Sequence, residues 1–388
     1  MTTADNFYRE TWIEIDLNAI AYNVKNTKKQ LKQEQDLIAV VKADGYGHGA
    51  MQVAQAALTA GANYLAVASL DEALQLRAQG ITAPILVLGA TPVKYVEIAS
   101  KQNITLTVFD RNWLQEAKRI LRQTQQFVKI HIKADTGMGR LGISTVTELN
   151  ELLSEADCDC IVLEGIFTHF ATADELDETH LRLQVARFEE LLGTMPTMPK
   201  MVHSSNSAGT LRFADMHYTA VRLGISLYGL TPSAAITDQL AFVLKPALSL
   251  HTKLVQVKQV AVGTAISYGA TYQAAKTEWI GTLPIGYADG WLRKLSGQTV
   301  LIEGERVPIV GRVCMDQCMI RLPREFPVGT KVTLIGEGGN DAIRVEEIAD
   351  RLETINYEVV CGLSKRVPRI YLQDNQVVAV KNALSEPF

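Results

Sequence analysis

The sequence predicts an α/β chain: an N-terminal (β/α)8 barrel of the TIM type followed by a mainly β domain. Three observations predict it. From residue 37 onward, eight short β-rich runs alternate with stretches of helical periodicity. Eight such units within roughly 200 residues fit a closed barrel better than an open doubly wound sheet. The GxGxxG fingerprint of a dinucleotide-binding sheet is absent after the first strand. Beyond about residue 240 the texture changes to alternating, β-rich segments joined by glycine and proline turns. A length of 388 residues suits two domains, because single cores seldom grow past ~250–300 residues. The expected division is 1–240 and 241–388, with the first ~12 residues open to pairing with the β domain.

Taken in order, "RETWIEIDLNAIAYNVKNTKKQL" reads as a short strand, an N-cap at Asp16 and a helix. The barrel strands are "DLIAVVKA", "YLAVAS", "PILVLGA", "ITLTVF", "FVKIHIKA", "CIVLEGIFTHF", "KMVHSSN" and "AVRLGISLYG". Helical stretches separate them, among them 71–80, 111–123 and 180–193. The last carries Leu181, Val185, Phe188, Leu191 and Leu192 at helical spacing and ends on Gly193. In the second domain "SLHTKLVQVKQV", "EWIGTLPIGYA", "QTVLIEGERVPIVGRVCMDQCMIRL" and "KVTLIGEG" are strands, and "RVEEIADRLETI" is the one clear helix.

Composition narrows the function. With 47% hydrophobic and 21% charged residues the chain is an ordinary globular one. Lys and Arg number 38 against 42 for Asp and Glu, which gives no support for nucleic-acid or anionic-membrane partners. "MTTADNFYRETW" has neither a basic n-region nor an apolar core, so no secretory signal is expected. No apolar run approaches the ~18 residues of a membrane span. Five cysteines, odd in number and sparse, argue against a disulfide framework and for the reducing cytoplasm. Cys314 and Cys318 form a CxxxC without a nearby histidine, and no metal site is expected there or elsewhere.

Barrel enzymes carry their chemistry at the C-terminal ends of the strands. Lys42 closes the first barrel strand in "AVVKADGYGHGA". A lysine whose pKa is depressed there is a candidate imine-forming nucleophile or base, and the alternating glycines allow a backbone that cradles a ligand. The fifth strand ends alike in "HIKADTGMGRLG", with Lys133 in the matching place and Arg140 suited to a carboxylate. His169 and His203 sit at strand ends, where a histidine more often orients a neighbour than binds a ligand. Ser207 at a helix start, with the backbone amides of Gly224 and Ile225, suits a phosphate. Arg222 on the eighth strand faces the barrel mouth or else pairs with a core acid. A lysine for an imine, a phosphate cradle and an arginine together suggest pyridoxal phosphate.

The ordered set "AVVKADGYGHGA", "KADTGMGRLG", "THFATAD", "NSAGTLR", "VRLGISLYG", "SYGATY", "IGYADGW", "GRVCMDQCM" and "INYEV" resembles the alanine racemase family over nearly the whole chain. The resemblance implies a pyridoxal-phosphate-dependent isomerase that interconverts L- and D-alanine by a two-base mechanism and supplies D-alanine for bacterial cell-wall peptidoglycan. Lys42 would hold the cofactor as an imine and serve as base toward D-alanine. Tyr268 would deprotonate L-alanine from the opposite face. A phenol is a weak base unless its anion is stabilised, and His169 and Arg222 resemble the network that does so. Arg222 would also donate to the pyridine nitrogen.

Further roles follow from the same resemblance. Tyr46, Ser207, Gly224, Ile225 and Tyr357 match the phosphate-binding set, with His203 and Asn206 in support. Arg140 and the Met315 amide would hold the substrate carboxylate. Lys133 matches a lysine that the family can carbamylate. Tyr287 and Tyr357 would narrow the entrance, and Asp174, Arg293 and Arg312 would ring the corridor outside it. The family implies a head-to-tail homodimer with active sites shared between subunits. Phe167 stands where relatives carry Tyr or Phe. Rival readings are a broader alanine/serine racemase, a barrel decarboxylase using the same cofactor, and a non-catalytic pyridoxal-phosphate carrier.

Overall fold

Parallel strands covered by helices are buried on both faces, so they are mostly apolar, and the barrel strands here are so apart from Val128–Lys133 and Glu164 of Ile161–Phe167. A computed structural model describes residues 7–385; the first six residues of the N-terminal segment considered for a leader lie outside the described residues. After β1 (Thr11–Asp16), eight strands follow: β2 (Asp36–Val40), β3 (Tyr64–Val67), β4 (Ile85–Ala90), β5 (Ile104–Val108), β6 (Val128–Lys133), β7 (Ile161–Phe167), β8 (Met201–His203) and β9 (Ala220–Leu223). They form one parallel sheet in the order β8-β7-β6-β5-β4-β3-β2-β9. Two backbone hydrogen bonds cross the remaining seam, Thr219 N–H to the Val202 carbonyl and Arg222 N–H to the Ser205 carbonyl, each 3.1 Å. The expected (β/α)8 barrel is what the chain forms.

The crossover helices carry their start signals in the sequence. Ser69 and Glu72 make a reciprocal capping box for Leu70–Ala78, Thr145 and Glu148 do so for Val146–Ala156, and Asp110 caps Arg111–Thr124. One glycine has a direct steric purpose. A Cβ on Gly165 of β7 would lie 2.7 Å from the imidazole of His131 on β6, so glycine makes room for a histidine inside the barrel.

The contacts place Ala19–Gly45 and Ala50–Lys245 in the barrel unit. The second unit takes the described residues up to Asn18, the short stretch Tyr46–Gly49, and the chain from Pro246 on. Its sheet runs Gln256–Val260, Glu278–Leu283, Cys318–Leu322, Glu305–Val310, Thr299–Ile302, Lys331–Gly338, Leu248–Lys253, β1, Arg369–Gln373 and Gln376–Lys381. β1 therefore joins the β unit, antiparallel to Leu248–Lys253 and parallel to Arg369–Gln373. Val260, Ile266, Ala274, Ile280 and Val310 form an apolar cluster there. Among the described residues, no helix is long and apolar enough to cross a membrane.

Candidate functional site

Lys42 leaves the barrel just beyond β2 and enters a left-handed turn: Ala43, Asp44, Gly45 and Tyr46 have φ of +54°, +51°, +62° and +51°. Such a turn costs L-residues about 1–2 kcal/mol each, and specific hydrogen bonds hold it. Gly45 N–H donates to the Val41 carbonyl at 2.9 Å. A Glu72 carboxylate oxygen accepts from Ala43 N–H at 2.7 Å, and Asp44 accepts from Ala50 N–H at 3.0 Å. The glycines announced a special backbone; that Ala43, Asp44 and Tyr46 share it was not legible.

Arg222 is buried, and among the described residues no carboxylate pairs with it directly. Its Nη1 donates to His203 Nδ1 at 2.6 Å; its Nη2 donates to the Thr168 and Ser204 carbonyls and to His169 Nδ1, at 2.9, 2.7 and 3.0 Å. The core-acid reading is thus replaced by histidines and carbonyls. The Nε–H has no partner among the described residues. Burial, then the charge of Arg140, pushes the guanidinium down to about 9, so it remains a cation at neutral pH.

Because Arg222 donates, both histidines must present a bare Nδ1 and carry their proton on Nε2. Burial and then the field of Arg222 hold both well below the ordinary histidine range; the Lys42 charge adds to this at His169. From His203 the chain continues inward. Its Nε2–H donates to His131 Nδ1 at 3.0 Å, and His131 Nε2–H donates to Glu164 at 3.4 Å. Glu164 also accepts from the Tyr64 and Thr105 hydroxyls at 2.7 and 3.1 Å. Burial opposes its ionisation, but the bonds from His131 and Tyr64 prevail and hold its carboxyl at about 2. His131, Glu164 and Tyr64 are absent from the sequence-based site. The signals were there: Lys129, His131 and Lys133 alternate along β6, and Glu164 interrupts the apolar run of β7.

Lys133 is 4% exposed, donates to the Ala134 carbonyl at 2.8 Å and lies 5.0 Å from the Phe167 ring centroid. Burial, then Arg222, pushes its amine down to about 7. Asp135 gathers the backbone N–H groups of Gly137, Met138, Gly139 and Arg140 at 2.9–3.0 Å, which fixes the loop bearing Arg140. Asn206 caps the helix Ser207–Arg212, and Ser207 Oγ accepts from Gly224 N–H at 2.9 Å and Ser226 N–H at 3.3 Å. Ser207, Gly224 and Ile225 are thereby brought together. Asp174 lies half-buried in a turn of the 171–176 loop.

In the β unit, Tyr268 is 72% and Met315 53% exposed. Ser267 Oγ–H donates to the Arg312 carbonyl at 2.6 Å. Tyr287 N–H and Ala288 N–H donate to the Cys314 and Met315 carbonyls at 3.0 Å each. Tyr268, Tyr287, Arg312 and Met315 thus share one set of turns. Arg293 opens a short 3-10 turn whose Ser296 hydroxyl accepts from Val313 N–H at 3.1 Å. Tyr46 and Tyr357 have ring centroids 6.2 Å apart.

An amine at a strand mouth, a guanidinium with one N–H unspent, and a hydroxyl among backbone amides are the donor set pyridoxal phosphate needs: an imine, a partner for an unprotonated pyridine nitrogen, and a phosphate cradle. The residues present fit that group.

Comparison with known proteins concerns the whole chain. Residues 15–232 match the family model of the alanine racemase N-terminal domain, and 247–371 that of the C-terminal domain. Alanine racemase 1 of Bacillus subtilis is 51% identical over 379 residues, 97% of each chain. Alanine racemase of Geobacillus kaustophilus is 52% identical over 381 residues, covering 98% of this chain and 99% of that one. The crystal structure of alanine racemase from Bacillus anthracis with bound L-Ala-P superposes with a TM-score of 0.94 at 50% identity, over 97% of this chain and 99% of that one.

Proposed function

This chain belongs to the alanine racemase family, and from that premise we propose that Lys42 and Tyr268 are the two bases with which it interconverts L- and D-alanine. The activity itself, a pyridoxal-phosphate-dependent isomerisation that provides D-alanine for the bacterial cell wall, is carried by about 50% identity to alanine racemases over nearly the full length.

When bound, pyridoxal phosphate supplies the electron-withdrawing system that makes the substrate Cα–H acidic. The protein holds it and moves the proton. Lys42 anchors the cofactor and then takes or returns a proton at one face of Cα. Tyr268 does the same at the other face. Arg222 offers its Nε–H to the pyridine nitrogen and, being a cation, leaves that nitrogen unprotonated. Ser207, Gly224, Ile225, Tyr46 and Tyr357 bind the phosphate, with Asn206 fixing the helix that bears Ser207. Arg140 and the Met315 amide bind the substrate carboxylate.

Lys133 is the amine whose carbamate would orient Arg140. Held near 7 by burial, it is partly neutral at physiological pH, so its lone pair can add to carbon dioxide with loss of one N–H proton to water, and the resulting carbamate would attract the Arg140 guanidinium. Tyr287 narrows the entrance, and Asp174, Arg293 and Arg312 line the approach. The exposure of Tyr268 and Met315 supports a head-to-tail homodimer in which the β domain of a second copy supplies both to the barrel bearing Lys42. The enzyme works in the cytoplasm.

The test is incubation of the holoenzyme with L-alanine in heavy water. Decay of optical activity with one deuterium at Cα of the D product is expected, and Tyr268→Phe should abolish most of it while retaining the cofactor. Persistent optical activity without deuterium uptake would remove the two-base assignment.

A further inference from the structure

Ser267, the residue before Tyr268, has φ +69° and ψ 177°. That conformation is essentially confined to glycine, and side-chain-bearing residues held in it cluster where strain serves a site. Nothing in the "SYGATY" pattern requires a serine to adopt it.

The surroundings hold it there. Ser267 Oγ–H donates to the Arg312 carbonyl at 2.6 Å, and Cys314 Sγ lies 3.6 Å from both the Ser267 hydroxyl and that carbonyl. Gly311, at φ +69°, passes so close that a Cβ on it would stand 2.7 Å from the Ser267 Cβ. After the tyrosine, Gly269 lies against the Arg312 guanidinium; a Cβ there would be 3.0 Å from Nη1. Ala270 N–H closes the turn back onto the Ser267 carbonyl at 3.2 Å. The Gly311–Met315 segment is anchored at its far end too, through Cys314 and Met315 carbonyls to Tyr287 and Ala288.

We propose that Ser267 is a positioning residue: its strained backbone and its hydroxyl latch onto Arg312 fix the direction in which Tyr268 leaves the turn and tie that turn to the Met315 loop. The proposal rests on Tyr268 acting as the base toward L-alanine. It adds that the base and the carboxylate-binding amide move as one piece, because a single side chain joins their two segments. Ser267→Gly releases both backbone and latch; Ser267→Ala removes the latch and leaves the strain. Sub-ångström placement of a proton-transfer group governs its rate steeply.

The experiment compares the parent, S267A, S267G and Y268F as cofactor-loaded enzymes. Expected is a loss of about tenfold in kcat/KM for S267A and S267G. The loss is equal in both directions, since the equilibrium constant is fixed. The primary deuterium isotope effect should rise with Cα-deuterated L-alanine and fall with Cα-deuterated D-alanine, because the step at Tyr268 becomes the slower of the two. In the cofactor-free protein, the fluorine NMR line of 3-fluorotyrosine placed at 268 should narrow in both variants as the turn loosens. Isotope effects and line width unchanged in S267G overturn the proposal, whether activity is kept or lost with folding or assembly. If Y268F keeps the parent's activity, the base assignment itself has failed. An inactive Y268F beside unaltered Ser267 variants overturns the latch alone.

Discussion

The imidazoles of His131 and His203 meet nitrogen to nitrogen, Nδ1 to Nε2, at 3.0 Å inside the barrel. Two histidines at that distance share one hydrogen, and the ends of the chain decide its direction. Arg222 can only donate, and ionised Glu164 can only accept. Every hydrogen between them therefore points from Arg222 toward Glu164. Both rings stay neutral, and Arg222 remains the cation nearest His169. A remote carboxylate thereby fixes tautomers at the site.

Glu164→Gln tests that dependence. The amide can turn an N–H toward His131, which opposes the direction that Arg222 imposes, and breaking a buried charge network of this kind costs about 3 kcal/mol. The acid side has a definite sign. The folded carboxyl titrates at about 2 against an ordinary 4.5. Its stabilisation is thus complete above 4.5 and lost as pH falls toward 2, on the order of 3 kcal/mol in all. Urea midpoints measured from pH 5 down to 3 should fall more steeply in the parent than in the variant. Parallel curves would remove the role assigned to Glu164.

Lys133 gives a slope of the same sign in a higher pH range. Its amine sits at about 7 against an ordinary 10.5, with burial as the chief cause. Between those values the unfolded chain binds a proton that the folded chain does not, so stability rises with pH by about 1.4 kcal/mol per unit. In carbon-dioxide-free buffer, the parent should gain on Lys133→Met from pH 7 to 9. A constant difference across that range would place the amine in water.

How far the sequence reached depends on the kind of signal. The barrel was legible because burial on both faces demands apolar strands, and helix starts such as Ser69 and Glu72 announce themselves locally. The placing of Lys42, Arg222 and Ser207 at the barrel's strand ends was legible because that is where this architecture presents side chains. The conformation of Ser267 was not, since it arises from a carbonyl 45 residues away. The histidine chain was half legible. Polar residues inside β6 and β7 marked something buried, but the sequence offers Arg222 only the barrel mouth or a core acid, and only pairing across strands makes a histidine its acceptor.

The left-handed turn after Lys42 makes a sharper demand than flexibility. Gly45 has φ +62°, and a Cβ there would come within 3.2 Å of the Ala50 nitrogen. Gly45→Ala should cost about 1–2 kcal/mol. Glu72→Gln, which keeps an acceptor for Ala43 N–H but loses the charge, should cost less, under about 1 kcal/mol. Thermal midpoints and cofactor titration by absorbance would read both. If Gly45→Ala is the milder of the two, the turn is not held as described.

Asp289 organises the turn that carries Tyr287. The carboxylate is fully buried. It accepts from Arg9 Nη1 at 2.6 Å and also from Arg9 Nη2, and from Gly286 N–H at 2.9 Å, and it forms an ion pair with Arg366 Nε at 2.9 Å. Gly286 in turn packs where a Cβ would strike the Cys314 and Met315 carbonyls, at 2.3 and 2.4 Å. Removing the carboxylate leaves two guanidinium groups without their shared anion, a loss of about 3–5 kcal/mol. Asp289→Asn keeps the shape and loses the charge, so it should fall between the parent and Asp289→Ala in thermal midpoint. Because the turn reaches Tyr287 and Met315, Asp289→Asn should also raise KM for alanine more than it lowers kcat. A variant with parental stability and parental KM would mean that Arg9 and Arg366 are held by other contacts.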